Sequence, residues 1–388
     1  MKYDAIVLGL GAMGSASVHQ LAKRGAHVLG IDRFSPPHEF GSSHGGTRVT
    51  RLAIGEGEHY TPLVIRSHEI WREVERETGA NLLSQCGGLI VSSANKSAVT
   101  HVEGFFANTV AAARKYAIAH ELLDAPEIRR RYPQFAVGDE EFGYFEPSAG
   151  FLRPEACVRA QLELARKRGA ELHTDEAVLG FDALPDGVTV TTDKGTYSAG
   201  RLIVAAGAWL PGLLGGRYER LFKVFRQVQC WFEVRGEPSQ FLPGRFPIFI
   251  WELPTGRQGI YGFPAIDGVA GGLKIATEYF ENATEPRSVV RDVSAREIAS
   301  MYESLVAPWL PGIGPRCVKA VTCLYTVTPD FGFVIDRHPE SERVILASPC
   351  SGHGFKHAPA LGEALAELVL EGRSRHDLAA FRLDRFGG

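Results

Sequence analysis

The chain has 388 residues, 45% of them hydrophobic and 22% charged, and a formal net charge of -3. That length exceeds what one hydrophobic core usually serves, so about two domains are expected. The scattered basic residues leave no electrostatic footprint for nucleic acid. The best apolar stretch, 202–214, is too short for a membrane span and is broken by Pro211, and Asp4 interrupts any secretory signal. Cys86, Cys157, Cys230, Cys317, Cys323 and Cys350 form no CxxC pair or zinc spacing, so no metal site is expected and the default location is a reducing cytoplasm.

The first predicted element is the apolar run Ala5-Ile6-Val7-Leu8, which reads as a buried strand. Gly9-x-Gly11-x-x-Gly14 follows it at once and opens a helical pattern over 15–24. That is the strand, turn and helix that a dinucleotide fingerprint requires. The first glycine allows the turn, the second lets the backbone approach a pyrophosphate, and the third lets the helix pack on the strand. The helix N-terminus supplies unpaired N–H groups and a partial positive charge. A second strand over 27–31 ends at Asp32, whose carboxylate is placed to hold ribose hydroxyls. The motif leaves open whether the dinucleotide is NAD or FAD.

A loop rich in Gly, Ser and His follows at 41–48; Arg48 and Arg51 lie three apart, on one side if a helical turn starts there. Residues 62–77 read as an amphipathic helix with Leu63, Ile70 and Trp71 inward, 89–91 as a strand, and 99–120 and 125–132 as helices. Residues 143–145 form a strand, and 153–169 a helix opened by Pro154 and closed by Gly169. Residues 171–174 and 187–192 are strand-like, with Pro185-Asp186-Gly187 as a turn, and 202–209 is a buried strand running into a glycine turn. Short runs at 224–234, 246–251, 259–263 and 272–275 read as an antiparallel sheet that forms a second domain. After a helix at 295–305, the strand 318–328 alternates with period two, putting Val321, Cys323 and Tyr325 on one face. A strand at 344–347, a glycine turn at 351–354 and a helix over 356–371 complete the chain.

Five separated motifs then carry a resemblance: Gly41-Ser-Ser-His-Gly-Gly-Thr-Arg-Val-Thr-Arg51, Tyr261-Gly-Phe-Pro264, Gly272-Leu-Lys274, Cys323-Leu-Tyr-Thr326 and Ser351-Gly-His-Gly-Phe-Lys356. In this order, and nearly end to end, the sequence resembles the monomeric sarcosine oxidase and N-methyl-tryptophan oxidase family. The resemblance implies an α/β fold with a Rossmann-like, glutathione-reductase-like FAD-binding domain and a second α+β substrate domain built on an antiparallel sheet. The division would be 1–82, 147–216 and 322–388 against 83–146 and 217–321. It also implies covalent FAD and a small secondary amino acid such as sarcosine as substrate. The substrate would be oxidised at its C–N bond to an imine, which hydrolyses to the primary amino acid and formaldehyde, while O2 becomes H2O2. A dehydrogenase with another electron acceptor, or a flavoprotein without turnover, are the competing readings. A monomer is expected.

Residue roles carry over by motif. Cys323 would anchor the flavin, with Cys317 outside the matching motif; Lys274 would assist O2, its cation lowering the energy of superoxide as it forms. Arg48 would lie over the ring with His44 close by, and Tyr261 and Tyr325 would line the substrate side, completing the catalytic set. Arg51 and Lys356 would bind the substrate carboxylate. Glu278 stands where the family's sarcosine oxidases have a His; it would receive a cationic amine if it faces the pocket, and is otherwise a surface residue in a shifted loop; Ile250 replaces a Met. The cofactor cradle would comprise Gly9, Gly11, Ala12, Met13, Gly14, Asp32 and Arg33, then Ser43, His44 and Arg48. Val178, Ala206 and Gly207 would continue it, and Gly352, His353, Gly354, Phe355 and Lys356 would close it with Cys323. Without the resemblance, Cys323 reads as a core thiol, Arg51 and Lys356 as solvated charges, and the tyrosines as aromatic wall.

Overall fold

The computed structural model describes residues 2–94, 102–254 and 259–387. Its first sheet is built around the strand Lys2–Leu8, which lies between Val28–Ile31 and Thr196–Val204 and is parallel to both. Glu171–His173 extends the sheet beyond Val28–Ile31. On the other side, the end of Thr196–Val204 pairs in parallel with Ser341–Ser348, and its start pairs antiparallel with Gly187–Thr192. Gly187–Thr192 makes a hairpin with Val178–Leu184 through the expected Pro185-Asp186 turn.

Both faces of the central strand are covered, which is why its sequence is a continuous apolar run. Ala5 and Val7 pack under Val18, Leu21, Leu162, Leu361 and Leu365 of three helices, Ala12–Lys23, Pro154–Lys167 and Ala358–Glu371. Ile6 and Leu8 face the opposite cluster with Leu210, Tyr218 and Phe222. The first helix begins at Ala12, three residues before the expected start at 15, so Gly14 lies inside its opening turn. A Cβ at Gly14 would sit 1.6 Å from the Gly9 carbonyl oxygen, so only glycine lets helix and strand approach this closely.

A second sheet carries the order Ala283–Thr284, Lys223–Val234, Leu273–Ala276, Ile260–Gly262, Ile248–Trp251, Gly88–Ser93, Glu141–Glu146 and Glu121–Asp124. Ile313–Val327 runs along the free side of Lys223–Val234, from Val234 opposite Ile313 to Lys223 opposite Val327. The sheet expected to be antiparallel is mixed, because Ile248–Trp251 runs parallel to Gly88–Ser93. The long chain between those strands passes through the first sheet, which allows the crossover that a parallel pair needs. The expected boundary between 321 and 322 falls within Ile313–Val327, so Cys323 and Tyr325 stand on this second sheet.

The helical turn considered for Arg48 and Arg51 is absent. Arg48–Thr50 is a strand of a small third sheet, with Arg48 opposite Leu152 and Gly150–Leu152 also paired to Leu83–Gln85. β-Branched Val49 and Thr50 favour that extended form. Of the helix expected over 99–120, residues 99–101 lie outside the described residues; the described helix is Phe105–Lys115. It ends before Ala117, whose φ of 52° breaks it. Among the described residues no helix is long and apolar enough to cross a membrane.

The helix Thr61–Thr78 is anchored by Trp71, fully buried with Ile70, Val74, Leu82, Leu152 and Leu164. Trp71→Ala should therefore cost about 3–5 kcal/mol in urea unfolding. A loss below about 1 kcal/mol would show that this cluster collapses without it.

Candidate active site

The fingerprint forms one end of a cavity of about 1540 Å³. Gly9 holds a φ of 83°, which L side chains rarely adopt, and turns the chain from the strand into the helix. Asp32 ends its strand as expected; its Oδ2 accepts from the Leu10 N–H at 2.6 Å and its Oδ1 from the Phe34 N–H at 2.8 Å. Those bonds fix the carboxylate at the cavity wall while leaving lone pairs for ribose hydroxyls. Ser43 Oγ accepts from the Ala12 N–H at 3.1 Å, tying the Gly/Ser/His loop to the helix start. Gly11, Ala12, Met13, Arg33, Val178, Ala206 and Gly207 line the same cavity, and Gly352, His353, Gly354, Phe355 and Lys356 line it further on.

Past Ser43 the wall becomes cationic. Arg48 donates to the carbonyls of Thr47 at 2.7 Å and Ser42 at 2.6 Å. Lys274 is buried and donates to the carbonyls of Gly45 at 2.7 Å and Thr47 at 3.1 Å, with its ammonium 5.1 Å from the Trp231 ring centre and 5.0 Å from that of Phe263. Burial and then the charge of Arg48 push its pKa well below the usual lysine range. Cys323, on the face shared with Tyr325, is also buried and accepts from Gln229 Nε2 at 3.2 Å. Burial raises its thiol pKa, while Arg48 and Lys274 oppose that rise. His44 is lowered to about 3 by burial, then by Arg48 and Lys274, so it is neutral at ordinary pH.

At the far end Tyr261 and Tyr325 bring their hydroxyls to 3.2 Å, both with pKa values raised chiefly by burial, so they remain phenols. Arg51 is buried, with its guanidinium 5.0 Å above the Phe105 ring and Nη2 2.6 Å from Glu56 Oε2. Lys356 Nζ donates to the His353 carbonyl at 2.7 Å and lies 3.7 Å from Glu56 Oε1. Burial lowers its pKa to about 8 despite the support of Glu56. Glu278 lines the same end; its Oε1 is 2.8 Å from where a Cβ on Gly352 would sit, beside the Tyr325 ring.

Most expected residues thus converge on one cavity, but Gly14, His44, Lys274 and Cys323 do not reach its surface. Gly14 is spent on helix packing. Lys274 instead faces a second space of about 320 Å³ lined by Trp231, Phe263, Ile266 and Val318. Two supporting residues escaped the sequence reading. Glu155 accepts from the N–H groups of Gly45 at 2.7 Å and Gly46 at 3.0 Å, and Glu146 accepts from those of Leu52 at 2.7 Å and Ala53 at 3.1 Å. They brace the segments carrying His44, Arg48 and Arg51, yet in sequence each is one ordinary glutamate about a hundred positions away. Glu155→Gln should weaken two charge-assisted bonds, each about 1.5–3 kcal/mol. Amide exchange at Gly45 and Gly46 should accelerate; unchanged exchange would remove Glu155 from this bracing role.

The residues fit an FAD. The cavity begins on a dinucleotide fingerprint and ends among cations, and on its wall the buried Thr47 Oγ1 has no protein partner. A family model described as DAO, FAD dependent oxidoreductase, matches residues 4–368. The chain is 42% identical over 382 residues to a monomeric sarcosine oxidase of Streptomyces avermitilis, with 98% of this chain and 96% of that protein covered. It is 36% identical over 387 residues to an N-methyl-L-tryptophan oxidase of Yersinia pestis, with 100% of each covered. Among solved structures, the open form of NikD, an unusual amino acid oxidase essential for nikkomycin biosynthesis, matches with a TM-score of 0.82 at 25% identity over 98% and 97% of the two chains. An L-proline dehydrogenase from P. horikoshii shares the fold, with a TM-score of 0.80 at 21% identity over 99% and 98%. The chain therefore belongs to the monomeric sarcosine oxidase and N-methyl-tryptophan oxidase family and is an FAD-dependent amine oxidase.

Proposed function

We propose that the protein oxidises a small N-methyl amino acid, sarcosine being the simplest, at its C–N bond, with O2 as electron acceptor and H2O2 as product. The observation that carries this reading is the pairing of Arg51 and Lys356 at the end of the cavity that starts on the fingerprint. A guanidinium fork and an ammonium, both buried, form a carboxylate site, and the tyrosine hydroxyls lie on the same wall. When bound, FAD would accept two electrons from the amine and deliver them to O2. Gly9, Gly11, Ser43 and Asp32 would hold its dinucleotide part, and Arg48 and the Gly352–Lys356 segment its ring.

The chain's own groups do the remaining work. Arg51 and Lys356 fix the carboxylate and so orient the amine. A secondary amine is mostly protonated near neutral pH and must lose that proton before its α-hydrogen can leave as a hydride equivalent. Glu278 faces this space and stabilises the amine's positive charge until then. Tyr261 and Tyr325, held as neutral phenols, donate hydrogen bonds and exclude water. Arg48 and Lys274, the latter fixed by two carbonyls, both act electrostatically on the Cys323 thiol, and we assign Cys323 as the covalent flavin anchor.

A screen of N-methyl amino acids should find one peroxide formed per amine oxidised; substrate consumed without peroxide would favour another acceptor. In the wild type, acid precipitation should leave yellow colour in the pellet, and Cys323→Ser should release it. Colour retained by the variant would overturn the anchor assignment.

A further inference from the structure

Arg51, Lys356 and Glu56 form a buried charge group at the inner end of the cavity, with side chains only 2%, 4% and 5% exposed. Glu56 touches both cations, at 2.6 Å and 3.7 Å, and its Oε1 is also 3.9 Å from His353 Nδ1. Arg51 Nη2 is engaged by Glu56, while its Nε is buried without a protein partner. One proton of Lys356 goes to the His353 carbonyl. The group therefore carries two positive charges and one negative, with donor capacity left on each cation. A buried net charge is costly unless a ligand neutralises it. Glu278 also acts on Lys356, so a substrate bringing one carboxylate and one ammonium leaves the charges balanced, whereas a second carboxylate makes the group negative.

We propose that Glu56 is a specificity-determining and positioning residue: it holds the Arg51 guanidinium in place and cancels one of the two cations, so the site takes a single carboxylate and rejects dianionic substrates. This deepens the reading of the site as one for N-methyl amino acids and rests on it. The substrate class narrows to monocarboxylic secondary amines with neutral or cationic side chains, since Glu56 and Glu278 both repel a side-chain acid at close range. The Phe105 ring under the guanidinium keeps Arg51 from turning away from Glu56.

A pH dependence follows from the same contacts. Lys356 is faced by Glu56, Arg51 and Glu278, with His357 and His353 on its own segment. Its pKa of about 8 means that carboxylate affinity falls as pH rises through that value. Glu56 raises that pKa, so its removal should start the fall at lower pH.

The test uses wild-type, Glu56→Gln and Glu56→Asp holoenzymes. Acetate and malonate are titrated by the flavin absorbance, KM and kcat are measured for sarcosine and N-methyl-aspartate, and sarcosine KM is followed from pH 6 to 10, a span of about two units on either side of the Lys356 value. The wild type should prefer acetate over malonate, and Glu56→Gln should narrow that preference at least about tenfold. It should lower KM for N-methyl-aspartate relative to sarcosine more than it alters kcat, and move the KM rise to lower pH. Glu56→Asp should restore the wild-type preference. An unchanged malonate-to-acetate ratio and an unchanged pH profile in Glu56→Gln would overturn the proposal, as would a wild type that binds malonate as well as acetate. If no N-methyl amino acid is turned over, the substrate reading fails, while the anion titrations, which need no turnover, still decide the role of Glu56.

Discussion

Cations removed from water govern the arrangement of this site. Lys274, Arg51 and Lys356 are buried and Arg48 is half-buried within one region, and each uncompensated charge would cost several kcal/mol. Burial first, and the charges of Arg48 and Arg51 after it, depress the pKa values of Lys274 and Lys356. Backbone carbonyls answer it: Gly45 and Thr47 for Lys274, Thr47 and Ser42 for Arg48, His353 for Lys356. Glu56 adds a full carboxylate, at 2.6 Å from Arg51 and 3.7 Å from Lys356. On the proposed reading, Arg48 and Lys274 serve the cofactor and oxygen, and Arg51, Lys356 and Glu56 are balanced for one anionic substrate.

That solution requires a loop whose carbonyls point inward. Glu155 grips two N–H groups of the Gly45–Gly46 turn from the opening of the helix Pro154–Lys167, and Glu146 does the same beyond Arg51. Small residues in the loop let its backbone approach Lys274, since a Cβ on Gly45 would sit 2.3 Å from Gln229 Oε1. The long strand pair Lys223–Val234 with Ile313–Val327 supplies the other wall. Its period of two sends Gln229, Cys323 and Tyr325 toward the cations.

Much of this was legible from residues alone. The apolar strand, glycine turn and Asp32 specify the nucleotide end because each has a local physical reason to be there. The alternation around Cys323 likewise predicts its shared face with Tyr325. What stayed hidden depends on partners distant in sequence. Arg48 and Arg51 invite a helical reading until Gly150–Leu152 pairs beside them. Glu56 looks like any surface glutamate until folding places it between Arg51 and Lys356. The parallel pairing of Ile248–Trp251 with Gly88–Ser93 is invisible to periodicity, since parallel and antiparallel strands both alternate with period two.

Lys274, held by two carbonyls of the glycine-rich loop, is proposed to serve the oxygen half of the reaction. Stopped-flow comparison of wild type and Lys274→Met, with anaerobic reduction by substrate and reoxidation by O2 measured separately, tests it most directly. The account predicts that reoxidation slows far more than reduction. Equal slowing of both steps, or reoxidation at the wild-type rate, would contradict it.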